Sequence, residues 1–152
     1  MKIAALSLLL FAAGAAHAYD VNGVALGASE KDLLQKFPYA NCRALEWPSR
    51  AADRRCDDSR IIFGGVDASV TFYLRNGTVE GFDVRLEHSD VAGLVKFLRT
   101  RYGTPAFEGP GPVIAQWKNK ADRATITSEK GRRRASLLVS RGTFEDEIYK
   151  VR

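Results

Sequence analysis

Two cysteines, Cys42 and Cys56, are the first residues that could carry chemistry in this chain of 152 residues. An even pair of cysteines in an exported protein is typical of a disulfide. A metal centre or a reactive thiol is the alternative, but two cysteines alone cannot complete a tetrahedral ligand set. We therefore predict a Cys42–Cys56 disulfide and no metal site. In the chain-entropy account, closing a loop of about 15 residues contributes about 3 kcal/mol of stability.

Catalytic chemistry has few candidate residues. His88 is the one histidine that follows the first 18 residues, so a Ser/His/Asp or Cys/His set would depend on it alone. The paired carboxylates Asp57 and Asp58 lie among arginines and indicate a salt-bridged surface. Phosphate loops, dinucleotide fingerprints and zinc patterns are absent from the sequence. We predict a protein that is not an enzyme and has no cofactor or catalytic residue, with a hydrolase of envelope polymers as an alternative.

Recognition is the chemistry that the strand pattern favours. From Ser69 to Leu86, polar and apolar residues alternate around an Asn76-Gly77 turn, which predicts a β-hairpin with one buried face. Tyrosine and arginine together on the opposite, flat face are typical of a protein interface. The candidate partner-binding residues are Thr71, Tyr73 and Arg85 from the first half of the chain, Gln116, Arg123 and Thr125 from the second half, and Trp47 from the disulfide loop.

The same alternation predicts the register of the hairpin. A loop of three residues would pair Val70 with Phe82 and collect the apolar side chains on one face, with Glu80 as the exception. A tight turn of two residues would place Phe72 opposite Gly81 and move Phe82 to the polar face. We therefore predict the three-residue loop.

Two helices should support these strands. Ser29 caps the first, which ends at Pro38, and Ser89 caps the second, which ends at Gly103 before Pro105. About three strand-like segments follow each helix. The pattern predicts an α+β fold, an antiparallel sheet of about six strands with two helices on one face, built as two tandem helix-plus-three-strand halves.

Residues 1–18 combine Lys2, an apolar run too short to span a bilayer, and the small-residue pattern Ala16-His17-Ala18, which is typical of a cleaved signal peptide. Residues 19–152 should then form a single domain with a disulfide loop at 39–60 and no transmembrane segment. We expect a periplasmic bacterial protein, or a secreted one. The net charge of +5 favours another envelope protein or an anionic envelope component as partner, and the location excludes nucleic acid.

Short stretches of the chain resemble a known group of proteins. The run Leu-Gly-Ala-Ser at 26–29, with Leu33 four residues on, and the run Arg-Tyr-Gly-Thr-Pro at 101–105 resemble the helix opening and helix ending of the β-lactamase-inhibitor-like and small outer-membrane-assembly lipoprotein (SmpA/OmlA-like) group. That resemblance implies an exported, non-enzymatic α+β module that binds other proteins, often through an open sheet face. The chain lacks the lipid-attachment cysteine of the lipoprotein members.

These observations together predict a soluble periplasmic interaction module that binds a protein through its open sheet face. A carrier of a small apolar ligand is the alternative. It would require a sizeable cavity between helices and sheet, lined by Phe72, Phe82 and Leu98. The sequence does not predict the oligomeric state.

Overall fold

The computed structural model describes residues 19–46, 48–142 and Phe144. A short hairpin precedes the first helix, and each of the two helices is followed by four strands. The elements in chain order are β1 (Asp20–Val21), β2 (Val24–Ala25), α1 (Glu30–Lys36), β3 (Asn41–Ala44), β4 (Arg54–Phe63), β5 (Val66–Arg75), β6 (Thr78–Glu87), a 3₁₀ turn (His88–Asp90), α2 (Val91–Tyr102), β7 (Phe107–Glu108), β8 (Val113–Asn119), β9 (Asp122–Thr127) and β10 (Arg134–Ser140).

Eight of the strands form one sheet in the order β3-β4-β5-β6-β10-β9-β8-β7, and all neighbouring pairs are antiparallel. The last strands of the two sets of four, β6 and β10, therefore lie side by side in the middle. The first strands of the two sets, β3 and β7, form the edges. The remaining strands, β1 and β2, pair only with each other.

The prediction of an α+β fold with about six strands is wrong. The described chain is mostly β, with eight strands in the main sheet, two in the hairpin and only two short helices. The sequence reading missed β3, β7 and the first half of β4. Residues 54–60 of β4 are mostly charged, and charged residues such as Asp are depleted in strands unless cross-strand contacts favour them. Much of the predicted loop at 39–60 is therefore the antiparallel pair β3–β4.

The core lies between the helices and one face of the main sheet, which we call the inner face. Leu33 of α1 and Leu94 and Leu98 of α2 are fully buried in it. Phe37, which follows α1, packs edge-on against Phe72 of β5 with ring centroids 5.0 Å apart. The inner face supplies the alternate, buried residues of the central strands, which are Val70, Phe72, Leu74, Phe82, Val84, Leu86, Ala115, Trp117, Ala124, Ile126, Ala135, Leu137 and Val139.

The β5–β6 hairpin differs from its predicted register. Arg75 pairs with Thr78, so the turn has two residues, Asn76 and Gly77, with φ of 50° and 76°. The prediction of a three-residue loop is wrong. A bulge at Glu80 nevertheless restores the alternation, and the apolar residues of both strands share the inner face.

The helix ends agree with the sequence in part. Ser29 Oγ accepts a hydrogen bond from the Asp32 amide at 3.1 Å and caps α1. Ser89 lies inside the 3₁₀ turn and is not the cap of α2, which follows Asp90. Gly103 ends α2 with φ of 86°, a conformation that glycine adopts without steric cost. The Trp117 indole then donates to the Gly103 carbonyl at 2.8 Å and fixes α2 to β8.

Two predicted segments fall where the structure gives no description. The predicted signal peptide, residues 1–18, lies outside the described residues, as does Trp47. Within the described part of the chain, neither helix has the length and apolar character that crossing a bilayer requires.

Candidate binding face

The candidate residues from the strands lie on the outer face, which is the side of the main sheet opposite the helices. Cross-strand partners form rows across a sheet, and the register places Gln116, Thr125 and Thr71 in one such row. Gln116 Nε2 donates to Thr125 Oγ1 at 3.0 Å. Tyr73 and Arg123 belong to the next row. The structure therefore brings five of the predicted residues together on the middle of this face.

Tyr73 is covered, however, and is only 1% exposed. Phe144 packs against it with ring centroids 5.6 Å apart, and Ala51 and Ala52 of the β3–β4 connection complete a small apolar cluster around it. Thr125 is buried as well. The centre of the outer face is thus closed over Tyr73, and this tyrosine is not an exposed interface anchor.

A charged pair occupies the outer face beside Tyr73. Arg55 Nε donates to Asp57 Oδ2 at 2.9 Å, and Thr71 Oγ1 donates to Asp57 Oδ1 at 2.7 Å. Burial acts to raise the pKa of Asp57, but the hydrogen bonds from Arg55 and Thr71 outweigh it and lower the pKa below its usual range. Thr71 is therefore engaged in holding a carboxylate within the sheet.

Asp83 carries a second carboxylate into this face and is 1% exposed. Ser136 Oγ donates to one of its oxygens, and Arg85 Nε donates to the other at 3.2 Å. A buried charge is tolerated when it is paired and hydrogen-bonded in this way. The Arg85 side chain itself remains 52% exposed, so one predicted residue of the face does reach solvent.

The Arg85 side chain lines a hollow of about 600 Å³. This hollow lies at one end of the outer face, where β4, β5, β6 and β10 run side by side. We call it the arginine hollow. Its lining comes from the β4–β5 hairpin, the end of β6 and the start of β10. The residues that line it are Ser59, Arg60, Ile61, Ile62, Asp67, Ala68, Ser69, Arg85, Leu86, Glu87 and Arg134.

Two arginines of this hollow stand out by their lack of partners. Arg60 and Arg134 are exposed, and neither side chain forms a hydrogen bond or ion pair with another described residue. Arg133, next in the chain to Arg134, pairs with Glu87 at 3.0 Å instead. Ile62 lies beside them and is 65% exposed. The arginine hollow therefore combines free positive charge with an exposed aliphatic side chain.

Sequence reasoning missed Arg60, Ile62 and Arg134 as site residues. Arg134 ends a basic run that begins at Lys130. In the sequence alone, such a run is typical of a solvated hairpin tip. Arg60 lies in the charged segment 54–60, within the predicted disulfide loop at 39–60. Only the successive antiparallel pairings of β4 with β5, β5 with β6 and β6 with β10 bring these residues to one place.

A second hollow, of about 720 Å³, lies beside α2 and is lined by His88, Val91, Val95, Lys96 and Ile114 among others. His88 Nδ1 is hydrogen-bonded to Ser128 Oγ, which is a contact that a nucleophile and its base could make. Ser128 is buried, however, and does not line the hollow. No hydrogen bond within the described chain gives the ring a carboxylate partner.

Cys42 and Cys56 form the predicted disulfide, and they are directly paired residues of β3 and β4. The Glu30 carboxylate lies within 4.8 Å of both sulfurs. Zinc and similar metals bind the thiolate form of cysteine, which neither residue has while the sulfurs are bonded to each other. Glu30 is instead paired with Arg54 Nε at 3.0 Å.

The residues that would line an apolar carrier cavity all lie in the packed core. Phe72, Phe82 and Leu98 are fully buried, and the two phenylalanine rings lie 5.9 Å apart. Neither of the two hollows described above includes them.

Comparison of this chain with protein-family models, with curated proteins and with solved structures gives no match.

Proposed function

We propose that this protein is a non-enzymatic interaction module that binds a partner protein through the arginine hollow on its outer sheet face. The observation that carries the proposal is the pair of exposed guanidinium groups of Arg60 and Arg134, which have no ionic partner among the described residues and lie beside the exposed Ile62. Most arginines of the described chain are engaged in internal ion pairs. Arginine with a large apolar neighbour on an accessible surface is typical of interface anchors.

The location within the sheet supports this choice of site. The centre of the outer face is closed by Phe144 and the alanines over Tyr73, whereas the hollow at its end is open. The antiparallel sheet beneath the hollow holds Arg85 and Arg134 on neighbouring strands, so their positions are set by backbone pairing. A partner would therefore meet a surface that is already formed, which reduces the entropy cost of binding.

The proposed place of action is an oxidising compartment such as the bacterial periplasm. The Cys42–Cys56 disulfide supports this, since such bonds persist outside the reducing cytoplasm. The apolar-ligand carrier has no support from a cavity at Phe72, Phe82 and Leu98 within the described part of the chain. The hydrolase has no support from Ser128, because this partner of His88 is buried.

Site-specific photocrosslinking in the cells that make the protein tests the proposal. A photoreactive benzoylphenylalanine would replace Ile62 in the hollow in one variant and Tyr39 in another. Tyr39 is 90% exposed and lies between α1 and β3, so it is a matched control for exposure. We expect a discrete protein adduct from position 62 alone, and binding of that protein, once purified, to the native chain.

Three results would overturn this proposal. No adduct at position 62 would show that the hollow has no partner, and the same adducts at 62 and 39 would show contact without specificity. An adduct from a variant carrying the photoreactive residue at Val95, with none at 62, would move the site to the hollow beside α2.

A further inference from the structure

We infer that the occupant of the arginine hollow is an acidic segment of the partner protein that also carries an aliphatic side chain. This inference rests on the proposed function and specifies the chemistry of the partner. It is argued from the charges that line the hollow, from its size and from the one large apolar side chain on its surface.

Two arginines that have no ionic partner among the described residues give the hollow its positive charge, and the geometry of their guanidinium groups favours a particular kind of anion. The guanidinium groups of Arg60 and Arg134 are planar forks of N–H donors that match a carboxylate with two parallel hydrogen bonds. Neither fork is used within the described structure. Arg85 donates its Nε to Asp83 and keeps half of its side chain exposed to the hollow. A segment with two or more carboxylates would satisfy these donors.

The acidic residues of the hollow argue against a dense polyanion. Glu87 is neutralised by Arg133, but Asp67 is exposed, with no ion pair to a described residue, and lies in the same lining. Asp67 would repel phosphate or sulfate groups packed close together. It would accept hydrogen bonds from backbone amides, which a peptide offers beside its carboxylates. The mixture of donors and acceptors therefore favours a polypeptide.

Size and apolar surface point the same way. A hollow of about 600 Å³ is far larger than a single small anion needs, and it lies in the range of sites that enclose several side chains. Ile62, one of the lining residues, is 65% exposed, and burying it against an aliphatic side chain would be favourable. A simple anion would leave both the volume and Ile62 unused.

Selection from a phage-displayed library of random 12-residue peptides tests the inference on the purified full chain. We expect enrichment of peptides that contain at least two Asp or Glu residues together with Leu, Ile or Val. The double variant Arg60→Glu/Arg134→Glu should bind the selected peptides more weakly by at least about tenfold, since each lost contact is a charge-assisted hydrogen bond. Both positions are exposed, so the variant should keep the native melting temperature.

A matched control keeps the same change in charge at a distance. Lys31→Glu/Arg50→Glu reverses two exposed charges outside the hollow, in α1 and in the β3–β4 connection. It should leave peptide affinity within about twofold, because charges beyond a Debye length are screened at physiological salt. Arg60→Lys/Arg134→Lys keeps the charge without the fork and should fall between the native chain and the glutamate variant.

Several outcomes would overturn the inference. Enriched peptides without acidic residues, or equal loss of binding in the two glutamate double variants, would show that the hollow does not read carboxylates. Tighter binding of phosphatidylglycerol vesicles than of any selected peptide, lost in Arg60→Glu/Arg134→Glu, would show a lipid surface as the occupant.

The inference and the proposed function can fail separately. A specific adduct at position 62, formed with a partner whose affinity is unchanged by Arg60→Glu/Arg134→Glu, would keep the binding module and remove the acidic segment. Binding of acidic peptides that requires both arginines, with no adduct at position 62, would show that the hollow recognises carboxylates but has no partner protein in the cell.

Discussion

The ring of Phe144 lies directly against the backbone of Gly81 on the outer face, where a Cβ on Gly81 would come within 2.5 Å of Phe144 Cε1. Gly81 is the cross-strand partner of Tyr73, and the same phenylalanine ring covers Tyr73. The missing side chain at position 81 thus makes room for the residue that closes the centre of this face. Glycine in a strand commonly marks such a close approach.

Gly81→Ala should destabilise the protein by about 1–3 kcal/mol, the usual cost of inserting a methyl group into a packed site. The backbone at Gly81 is not in the left-handed region, so contact with Phe144 is the expected cause. Urea unfolding would measure the loss. Proteolysis would report whether Phe144 still covers Tyr73 in the variant.

The double variant Gly81→Ala/Phe144→Ala is the control for that cause. If the two residues interact only through this contact, Gly81→Ala should cost little once the ring is absent, and the two effects will not add. An unchanged cost of Gly81→Ala in the Phe144→Ala background would place its origin elsewhere.

Loss of the disulfide should lower stability by about 3 kcal/mol in the chain-entropy account. The bond joins paired residues of β3 and β4, and β3 is an edge strand held by only four pairs of residues. Cys42→Ala/Cys56→Ala should therefore expose the β3 amides to hydrogen exchange earlier than those of β5. Native protein in dithiothreitol should behave alike, and full protection of β3 in both would contradict this prediction.

Stability should fall steeply at alkaline pH because of Tyr19. Burial, with a further contribution from Asp122, raises the pKa of Tyr19 to about 12 from an ordinary value near 10. The unfolded chain then loses this proton at a lower pH than the folded chain does. The stabilisation is complete below pH 10 and is lost as pH rises through about 12.

Tyr19→Phe should flatten the dependence of the unfolding free energy on pH between about 10 and 12. The slope should not vanish, because burial and then Asp20 also raise the pKa of Tyr102. Tyr39→Phe removes a hydroxyl from a tyrosine that is 90% exposed and is the matched control. Equal slopes for Tyr19→Phe and the native chain would contradict the assignment.

Much of the inner face could be predicted from the sequence, because alternation and helical period directly reflect burial. Val70, Phe72 and Leu74 are buried as the pattern indicates, and so are Leu94 and Leu98 of α2. The strand content was underestimated where charges are paired across the structure. Asp57 accepts from Thr71 of β5, and Arg54 pairs with Glu30 of α1, only after the chain has folded, so the charged segment from 54 to 60 has no apolar pattern that predicts a strand.

The candidate site could be predicted from the sequence only in part, and again the successful part came from strand alternation. The outer face was identified from alternation, and Arg85 does line the arginine hollow. Tyr73 was expected to be exposed because its cover, Phe144, is distant in sequence and has no periodicity that marks it. Arg60 and Arg134 are 74 positions apart by their numbers and meet only through strand pairing. Whether an arginine has an ionic partner depends on which residues the folded chain brings next to it, and the sequence alone does not predict this.

The bulge at Glu80 should be essential for the fold, although its side chain should not be. The two-residue turn would by itself place Phe82 and Val84 on the outer face, and the extra residue in β6 returns them to the core. Deleting Glu80 should therefore abolish cooperative unfolding. Glu80→Ala keeps the bulge and removes only an ion pair with Arg141 at 3.7 Å, which is partly exposed.

Glu80→Ala should thus cost less than about 1 kcal/mol, the usual limit for a pair at the surface. Calorimetry and far-UV circular dichroism of the two variants would compare them directly. A deletion variant that unfolds as cooperatively as the native chain would show that the turn can change type to hold the register. In that case the apolar side chains of β6, more than the bulge, would determine how the hairpin pairs.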